Sequence, residues 1–234
     1  MCQLIVSPNG NVPEWDYIES SYLANGDSWG AVYLGNTLRK VCGLAEDWAN
    51  LALLHEELSD LQAPFLWHFR WATLGSATRK NCHPFAVSKD IWFAHNGVLN
   101  IPCPVPDRSD TWHMAQHFKK QNLTPERLKE KEIKNWLRGL AGHGNKFGFI
   151  DTAGETTIIN ETAGEWIDEV WYSNPSALYY TEPSPRFDWY TGETETELVE
   201  YDTCETCSVR LTTWNKVSGV PLTCSDCWET LLAS

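Results

Sequence analysis

Residues 65–71 have the sequence FLWHFRW, in which large aromatic side chains alternate with other residues. A period of two residues predicts a β-strand, because successive side chains of a strand point to opposite faces of the sheet. Four aromatic side chains would share one face, whereas Leu66, His68 and Arg70 would share the other. We expect the aromatic face to lie in the core and the opposite face to carry a charge.

Apolar runs on both sides of this segment predict further strands. One begins almost at the first residue and would hold the N-terminus in a sheet. A hairpin with its turn at Gly35 and Asn36 follows a stretch rich in Gly, Asn and Pro. The predicted strands besides residues 65–71 are Cys2 to Val6, Trp29 to Leu34, Leu38 to Gly43, Ile91 to Ala94, Lys146 to Ile150, Thr156 to Ile159 and Val170 to Ser173.

Apolar residues at helical spacing predict three helices in the middle of the chain. The first begins at Asp47 and is closed by Pro64, and the second has Ser109 or Asp110 as its N-cap. The third begins at about Pro125 and has the apolar stripe Ile133, Trp136, Leu137 and Leu140. Strands, then helices, then strands predict an α+β fold whose sheets carry helices on their outer faces.

Length and charge exclude several classes of protein. The 234 residues suit one sizeable domain with a small appendage and are too few for a multi-domain synthetase. The net charge of −13 repels phosphates, so nucleic acid is not expected as a partner. No apolar run approaches the ~20 residues of a membrane span, and the first residues lack the pattern of a secretory signal. We expect a cytoplasmic protein without a membrane partner.

Cys2 is a candidate nucleophile. Met1 is normally removed when the second side chain is small, which would leave Cys2 with a free α-amine. That amine has a pKa of about 7.7–8.0, so it can take the proton of the thiol and return it to a leaving amine. The alternative is that Cys2 is only a small apolar residue in a strand.

Four later segments hold polar residues that amide cleavage could use. They are Arg70-Trp71-Ala72-Thr73 followed by Gly75, His83-Pro84-Phe85, His95-Asn96-Gly97 and Ser109-Asp110-Thr111. The side-chain amide of Asn96 and the main-chain N–H of Gly97 could hold a tetrahedral oxyanion. The alternative for Asn96-Gly97 is a plain hairpin turn.

In order and approximate spacing, these segments and Met1-Cys2 resemble the N-terminal-nucleophile glutaminase domain of class II glutamine amidotransferases. Residues 170–174 (VWYSN) are similar to the closing strand of that domain, so the resemblance covers about residues 2–174. It implies the layered αββα N-terminal-nucleophile hydrolase fold. It also implies that L-glutamine is hydrolysed to glutamate and ammonia through a Cys2 thioester, without a cofactor for catalysis.

The resemblance also implies how the amino-acid end of glutamine is bound. Arg70 and Thr73 would hold the α-carboxylate, and Asp110 would accept from the α-ammonium. The alternatives are an Arg70 that reaches solvent at a strand end and an Asp110 that only caps a helix. The sequence departs from the family at Leu74, where many members have histidine.

Two Cys-x-x-Cys motifs separated by 16 residues predict a zinc-ribbon-like unit. Four thiolates complete the tetrahedral coordination of Zn²⁺, so the metal would be structural. Two disulfides or free thiols are the alternatives, and the other three cysteines are predicted to be packing residues. The four predicted ligands are Cys204, Cys207, Cys224 and Cys227, and the other three cysteines are Cys42, Cys82 and Cys103.

These features divide the chain into three parts. Residues 1–180 are predicted to be a glutamine amidotransferase type 2 domain, residues 181–203 an acidic linker or edge segment, and residues 204–234 the zinc-ribbon-like unit. The 60 residues after Asn174 are too few for a synthetase domain. We therefore expect a separate synthetase or other ammonia-acceptor enzyme as partner. The alternatives are a stand-alone γ-glutamyl amide hydrolase and a non-catalytic binding protein on the same fold.

Overall fold

The computed structural model of the chain describes residues 2–175 and residue 178. Within these residues it has ten strands and five α-helices. In chain order they are β1 (Gln3–Ser7), α1 (Trp15–Ala24), β2 (Ser28–Leu34), β3 (Leu38–Leu44), α2 (Trp48–Leu61), β4 (Phe65–Arg70), β5 (Phe85–Ala86), β6 (Ile91–Asn96), α3 (Asp110–Lys120), α4 (Pro125–Lys129), α5 (Lys131–Ala141), β7 (Lys146–Asp151), β8 (Thr156–Ile159), β9 (Glu165–Ile167) and β10 (Val170–Tyr172).

The strands form two antiparallel sheets. The first has the order β3-β2-β4-β1-β10-β9, and the second has the order β5-β6-β7-β8. Strand β1 lies inside the larger sheet, where Gln3 is opposite Phe69 of β4 and Ile5 is opposite Tyr172 of β10. Strand β1 therefore pairs with β4 along its whole length and with β10 at Ile5 and Val6, which holds the residue before it in place.

Helices cover the outer faces of both sheets, so the layers run helix, sheet, sheet, helix. Side chains such as Leu4, Leu66 and Ile150 fill the space between the sheets. Helices α1 and α2 pack on the larger sheet, and α3 and α5 pack on the smaller one. The predicted α+β class and the predicted layering are confirmed for the described residues.

Strand β4 has the predicted alternation but ends one residue earlier than predicted. It is buried throughout, and Arg70 is only 3% exposed, because the face that carries Arg70 packs between the sheets. The strand ends at Arg70, and the next residue, Trp71, is 51% exposed. The expectation that Trp71 joins the aromatic core face was therefore wrong.

Two helical regions also differ from the sequence prediction. Helix α1 lies in the stretch predicted as a connection, and its buried positions include the small residues Ser20 and Ser21. The single helix predicted from Pro125 is two helices, because Glu130 has extended backbone angles that end α4 before α5 begins. Among the described residues, no helix has both the length and the apolar character that crossing a membrane requires.

Candidate functional site

Cys2 is the residue before β1. Because Gln3 is opposite Phe69, Cys2 lies beside Arg70 at the end of β4. Its sulfur is 3.4 Å from the main-chain nitrogen of Trp71, which donates to it, and the thiol donates to the carbonyl oxygen of the same residue, also at 3.4 Å. Burial raises the pKa of the Cys2 thiol, which the N–H of Trp71 and the charge of Arg70 partly oppose. The thiol is therefore protonated at neutral pH and needs a proton acceptor before it can attack.

Asn96 reaches Cys2 from the other sheet. It is the last residue of β6, and its side-chain Nδ2 donates to the carbonyl oxygen of Cys2 at 2.5 Å and to the hydroxyl of Ser173 at 2.6 Å. The Ser173 hydroxyl also accepts from the main-chain N–H of Leu4 at 2.8 Å. One amide thus connects the start of β1 to the residue after β10.

Gly97 is at a position that excludes any other residue. Its φ is +135°, a value that side chains with a Cβ rarely adopt, and a Cβ there would lie 2.1 Å from Oδ1 of Asn145. The same Oδ1 is 2.9 Å from Nε2 of His95, whose Nδ1 is 2.9 Å from the hydroxyl of Thr111. Asn145 therefore orients the His95 ring and leaves no room for a side chain at Gly97.

Arg70 holds the loop that follows β4. Its guanidinium donates to the carbonyl oxygens of Leu74 at 2.6 Å and Ser76 at 3.2 Å. Thr73 lies in this loop and is exposed. At Gly75, φ is +77° and a Cβ would lie 2.7 Å from the nitrogen of Ser109, so the loop packs closely on the start of α3.

Asp110 is the first residue of α3, and Ser109 is the N-cap, because the Ser109 hydroxyl accepts from Trp112. The buried Asp110 carboxylate accepts from the main-chain N–H groups of Leu99 and Thr111, both at 2.7 Å. It also acts electrostatically on the Cys2 thiol and raises the pKa of that thiol. The structure thus brings Cys2, Asn96 and Asp110 together beside Arg70, with Gly97 next to Asn96, and leaves Thr73 exposed.

Sequence reasoning missed Asn81. This buried side chain donates to the carbonyl oxygens of Ser76 at 2.9 Å and Asp107 at 2.7 Å, and it accepts from the nitrogen of Ser109 at 3.1 Å. It therefore ties the loop that Arg70 holds to the start of α3. Asn145 and Ser173 were also missed as site residues, since a single Asn or Ser gives no pattern in the sequence.

Three buried histidines lie near the site without bonding to the Cys2 thiol in the described part of the chain. His83 Nδ1 is 3.1 Å from His68 Nε2. Burial lowers the pKa of His68, His83 and His95, which keeps all three neutral. They are therefore poor acceptors for the thiol proton.

A cavity of about 450 Å³ lies at the far end of β1, away from Cys2. Its lining includes Gly10, Asn11 and Tyr172. Since β1 spans five residues at about 3.3 Å each, the cavity is separate from the candidate site.

The predicted zinc ligands Cys204, Cys207, Cys224 and Cys227 lie outside the described residues, as do residues 181–203 of the predicted linker. Within residues 2–175 and 178, no group of three or more His, Cys, Asp or Glu side chains could hold a metal ion.

The sequence matches no protein-family model and no curated protein. Among solved structures it is similar to a glutamine phosphoribosylpyrophosphate (PRPP) amidotransferase from B. subtilis complexed with ADP and GMP. The TM-score is 0.44 at 17% identity, over 77% of this chain and 43% of that one. It is also similar to the structure described as the allosteric regulatory enzyme of purine biosynthesis, with a TM-score of 0.43 at 18% identity, over 76% and 43% of the two chains. This chain therefore spans less than half the length of either structure.

Proposed function

We propose that this protein hydrolyses the side-chain amide of L-glutamine through a thioester on Cys2 and releases glutamate and ammonia. The observation that carries the proposal is the position of the Cys2 thiol. It lies at the start of a central strand, with the Asn96 amide on its own carbonyl group and the charges of Arg70 and Asp110 acting on it.

The proposed reaction begins with removal of Met1, which frees the α-amine of Cys2. The amine accepts the thiol proton, because the thiol is protonated at neutral pH and the nearby histidines are buried and neutral. The sulfur then attacks the amide carbon of glutamine. The amine returns its proton to the leaving nitrogen, ammonia departs, and water hydrolyses the thioester to glutamate.

The oxyanion of each tetrahedral intermediate needs donors already in place. We assign this role to the Asn96 amide and the main-chain N–H of Gly97. Both N–H groups of the Asn96 amide now donate to oxygens of Cys2 and Ser173, so one of them would turn from the Cys2 carbonyl to the substrate. Ser173 would keep the amide in place during this change.

The amino-acid end of glutamine would lie between Arg70 and Asp110. Arg70 supplies the positive charge for the α-carboxylate and holds the loop that carries Thr73. Asp110 accepts from the α-ammonium, and two main-chain N–H groups keep its carboxylate in place. A separate synthetase or other acceptor enzyme would use the ammonia.

A second candidate function is the hydrolysis of γ-glutamyl amides that carry a larger amine. It is favoured by two exposed apolar side chains beside the site: Trp71, which contacts Cys2, is 51% exposed, and Val98, which follows Gly97, is 56% exposed. They could contact an apolar group on the leaving amine. Such an enzyme would need no partner.

The deciding experiment measures ammonia and glutamate released from L-glutamine and from a panel of γ-glutamyl amides. The wild-type protein, with removal of Met1 checked by mass, is expected to turn over one of these substrates. Cys2→Ala should abolish turnover, whereas the matched thiol variant Cys42→Ala should keep it. An active Cys2→Ala protein would contradict the mechanism. Natively expressed protein that retains Met1 and turns over no substrate would favour a non-catalytic binding protein.

We also propose that Cys204, Cys207, Cys224 and Cys227 hold one structural Zn²⁺. Purified protein is then expected to contain about one equivalent of zinc, and Cys204→Ser should lose it while Cys42→Ser keeps it. Less than half an equivalent in wild-type protein would contradict this assignment.

A further inference from the structure

A second pair of thiols lies at the edge of the larger sheet. Cys42 is on β3, and Cys82 follows a 3-10 turn formed by residues 79–81. The thiol of Cys82 lies against the carbonyl oxygens of Gly43 at 3.7 Å and Thr78 at 3.6 Å, and the Cys42 thiol is near enough to influence it. The Cys82 thiol therefore lies beside the strand residue that follows Cys42, and the two cysteines are neighbours in the fold although they are 40 positions apart in the sequence.

The backbone is built for this contact. Gly30 is opposite Cys42 in the sheet, and a Cβ on Gly30 would lie 2.1 Å from the carbonyl oxygen of His83. The chain at residues 82–83 can pass over β2 only because Gly30 has no side chain. Lys40 then donates to the carbonyl oxygen of Cys82 at 2.8 Å, and Arg79 donates to that of Cys42 at 2.7 Å.

The two thiols differ in charge and exposure. The hydrogen bond from Cys82 lowers the pKa of Cys42 to about 6, with help from the cations of Lys40 and Arg79 and against the carboxylate of Asp47. The same hydrogen bond raises the pKa of Cys82. Cys42 is half-buried, and Cys82 is fully buried. A partly exposed thiolate near a second thiol is the arrangement found in oxidation-sensitive cysteine pairs.

We propose that Cys42 and Cys82 form a reversible disulfide when the protein meets a peroxide. This site is separate from Cys2 and does not depend on the proposed hydrolysis. The Cys42 thiolate attacks a peroxide oxygen, the O–O bond breaks, and Cys42 becomes a sulfenic acid while hydroxide leaves and takes up a proton. The Cys82 sulfur then attacks the Cys42 sulfur, the S–O bond breaks, and a second water forms. The two thiols lose two electrons, which the peroxide gains.

Trypsin provides a direct test, because it cleaves after Lys and Arg and separates the two cysteines. Peptide 41–70 contains Cys42 alone, and peptide 81–89 contains Cys82 alone. The full-length protein is treated with a small excess of hydrogen peroxide, and free thiols are blocked with iodoacetamide during denaturation, before digestion. Mass spectrometry should detect the two peptides joined by a disulfide, with a mass equal to the sum of both peptides minus two hydrogen atoms. Dithiothreitol should separate it again.

Single variants test the assignment. Cys42→Ser and Cys82→Ser should each lose the joined peptides, whereas Cys103→Ser and Cys2→Ala should keep them. Circular dichroism checks that each variant is folded. The wild-type result alone can overturn the proposal. If peroxide oxidises Cys42 only to the sulfinic acid, or joins it only to cysteines other than Cys82, the proposal is contradicted.

Discussion

The hydroxyl of Ser173 lies 2.6 Å from Nδ2 of Asn96, and through this contact the closing strand of one sheet orients a side chain of the other. The same hydroxyl accepts from the main-chain N–H of Leu4. Ser173 is buried, so its hydroxyl is shielded from solvent. The position of the Asn96 amide therefore depends on a residue that touches neither the thiol nor the proposed substrate.

Ser173→Ala should lower both stability and turnover. It leaves two buried N–H donors without an acceptor, which costs roughly 1–3 kcal/mol of unfolding free energy. Urea unfolding and the rate of glutamine hydrolysis measure the two effects. The matched control Ser59→Ala removes an exposed helix hydroxyl and should change the unfolding free energy by less than about 0.5 kcal/mol. Unchanged turnover in folded Ser173→Ala would contradict a positioning role.

Gly97→Ala should be strongly destabilising, because the new methyl would meet Asn145 Oδ1 in a backbone region that alanine avoids. We expect a loss of more than about 1 kcal/mol and little remaining hydrolysis. Gly139→Ala is the control: Gly139 is in α5 with no atom within 4 Å of its added Cβ, so this change should stabilise the protein by about 0.4–1 kcal/mol. Equal unfolding midpoints for the two variants would overturn this reading of Gly97.

Asn81→Ala should affect substrate binding more than the chemical step. The variant removes the three hydrogen bonds that join the Arg70 loop to the start of α3. The distance between the Arg70 guanidinium and the Asp110 carboxylate is then no longer fixed. Steady-state kinetics should show a higher KM for glutamine and a smaller change in kcat. Asn135→Ala, at a surface hydrogen bond on α5, is the comparison and should leave both constants unchanged. An equal fall in kcat with KM constant would contradict this role.

The buried histidines predict that stability falls as the pH drops below about 6.5, the ordinary pKa of histidine. Burial lowers the pKa of His68, His83 and His95, so below that pH the unfolded chain binds protons that the folded protein does not. Each histidine then contributes a slope of up to about 1.4 kcal/mol per pH unit. Urea unfolding between pH 7.5 and roughly pH 5 measures the slope. His68→Gln should reduce it relative to wild type, with His143→Gln at an exposed position as control, and an unchanged slope would count against this linkage.

Cys82→Ala should raise the pKa of Cys42, because the variant removes the S–H that donates to the Cys42 sulfur. The rate of Cys42 alkylation by iodoacetamide, followed on peptide 41–70, should have its midpoint near a pH of about 6 in wild type. In the variant it should move toward the ordinary value of about 8.5. Cys103→Ala should leave the midpoint in place. A common midpoint in all three proteins would show that Cys82 has no influence.

Sequence patterns predicted the parts of the fold that have strong periodicity. Strand β4 and helix α2 were found because their apolar residues repeat at the spacing of each structure. Helix α1 was not found, although Trp15, Ile18 and Tyr22 pack at helical spacing, because the short stripe is interrupted by the buried serines Ser20 and Ser21. Trp71 was misplaced because alternation alone does not show where a strand ends.

The candidate site was predictable only where short motifs mark it. Five candidate residues could be named from the sequence, because each lies in a segment that resembles a motif of class II glutamine amidotransferases. They are Cys2, Arg70, Asn96, Gly97 and Asp110. Asn81 and Asn145 could not, since their importance comes from main-chain groups that only the folded chain brings near them. The sequence left open whether Ser109 or Asp110 caps helix α3. The structure shows that Ser109 is the N-cap.

The place of β1 between β4 and β10 has a consequence for protein synthesis. The residue that carries the thiol is synthesised some 170 residues before β10 and Ser173. At a translation rate of about 5–20 residues per second, that interval lasts on the order of ten seconds or more. During this time β1 lacks one neighbour and Asn96 lacks its anchor. A nascent chain therefore cannot assemble the thiol site before β10 has been made.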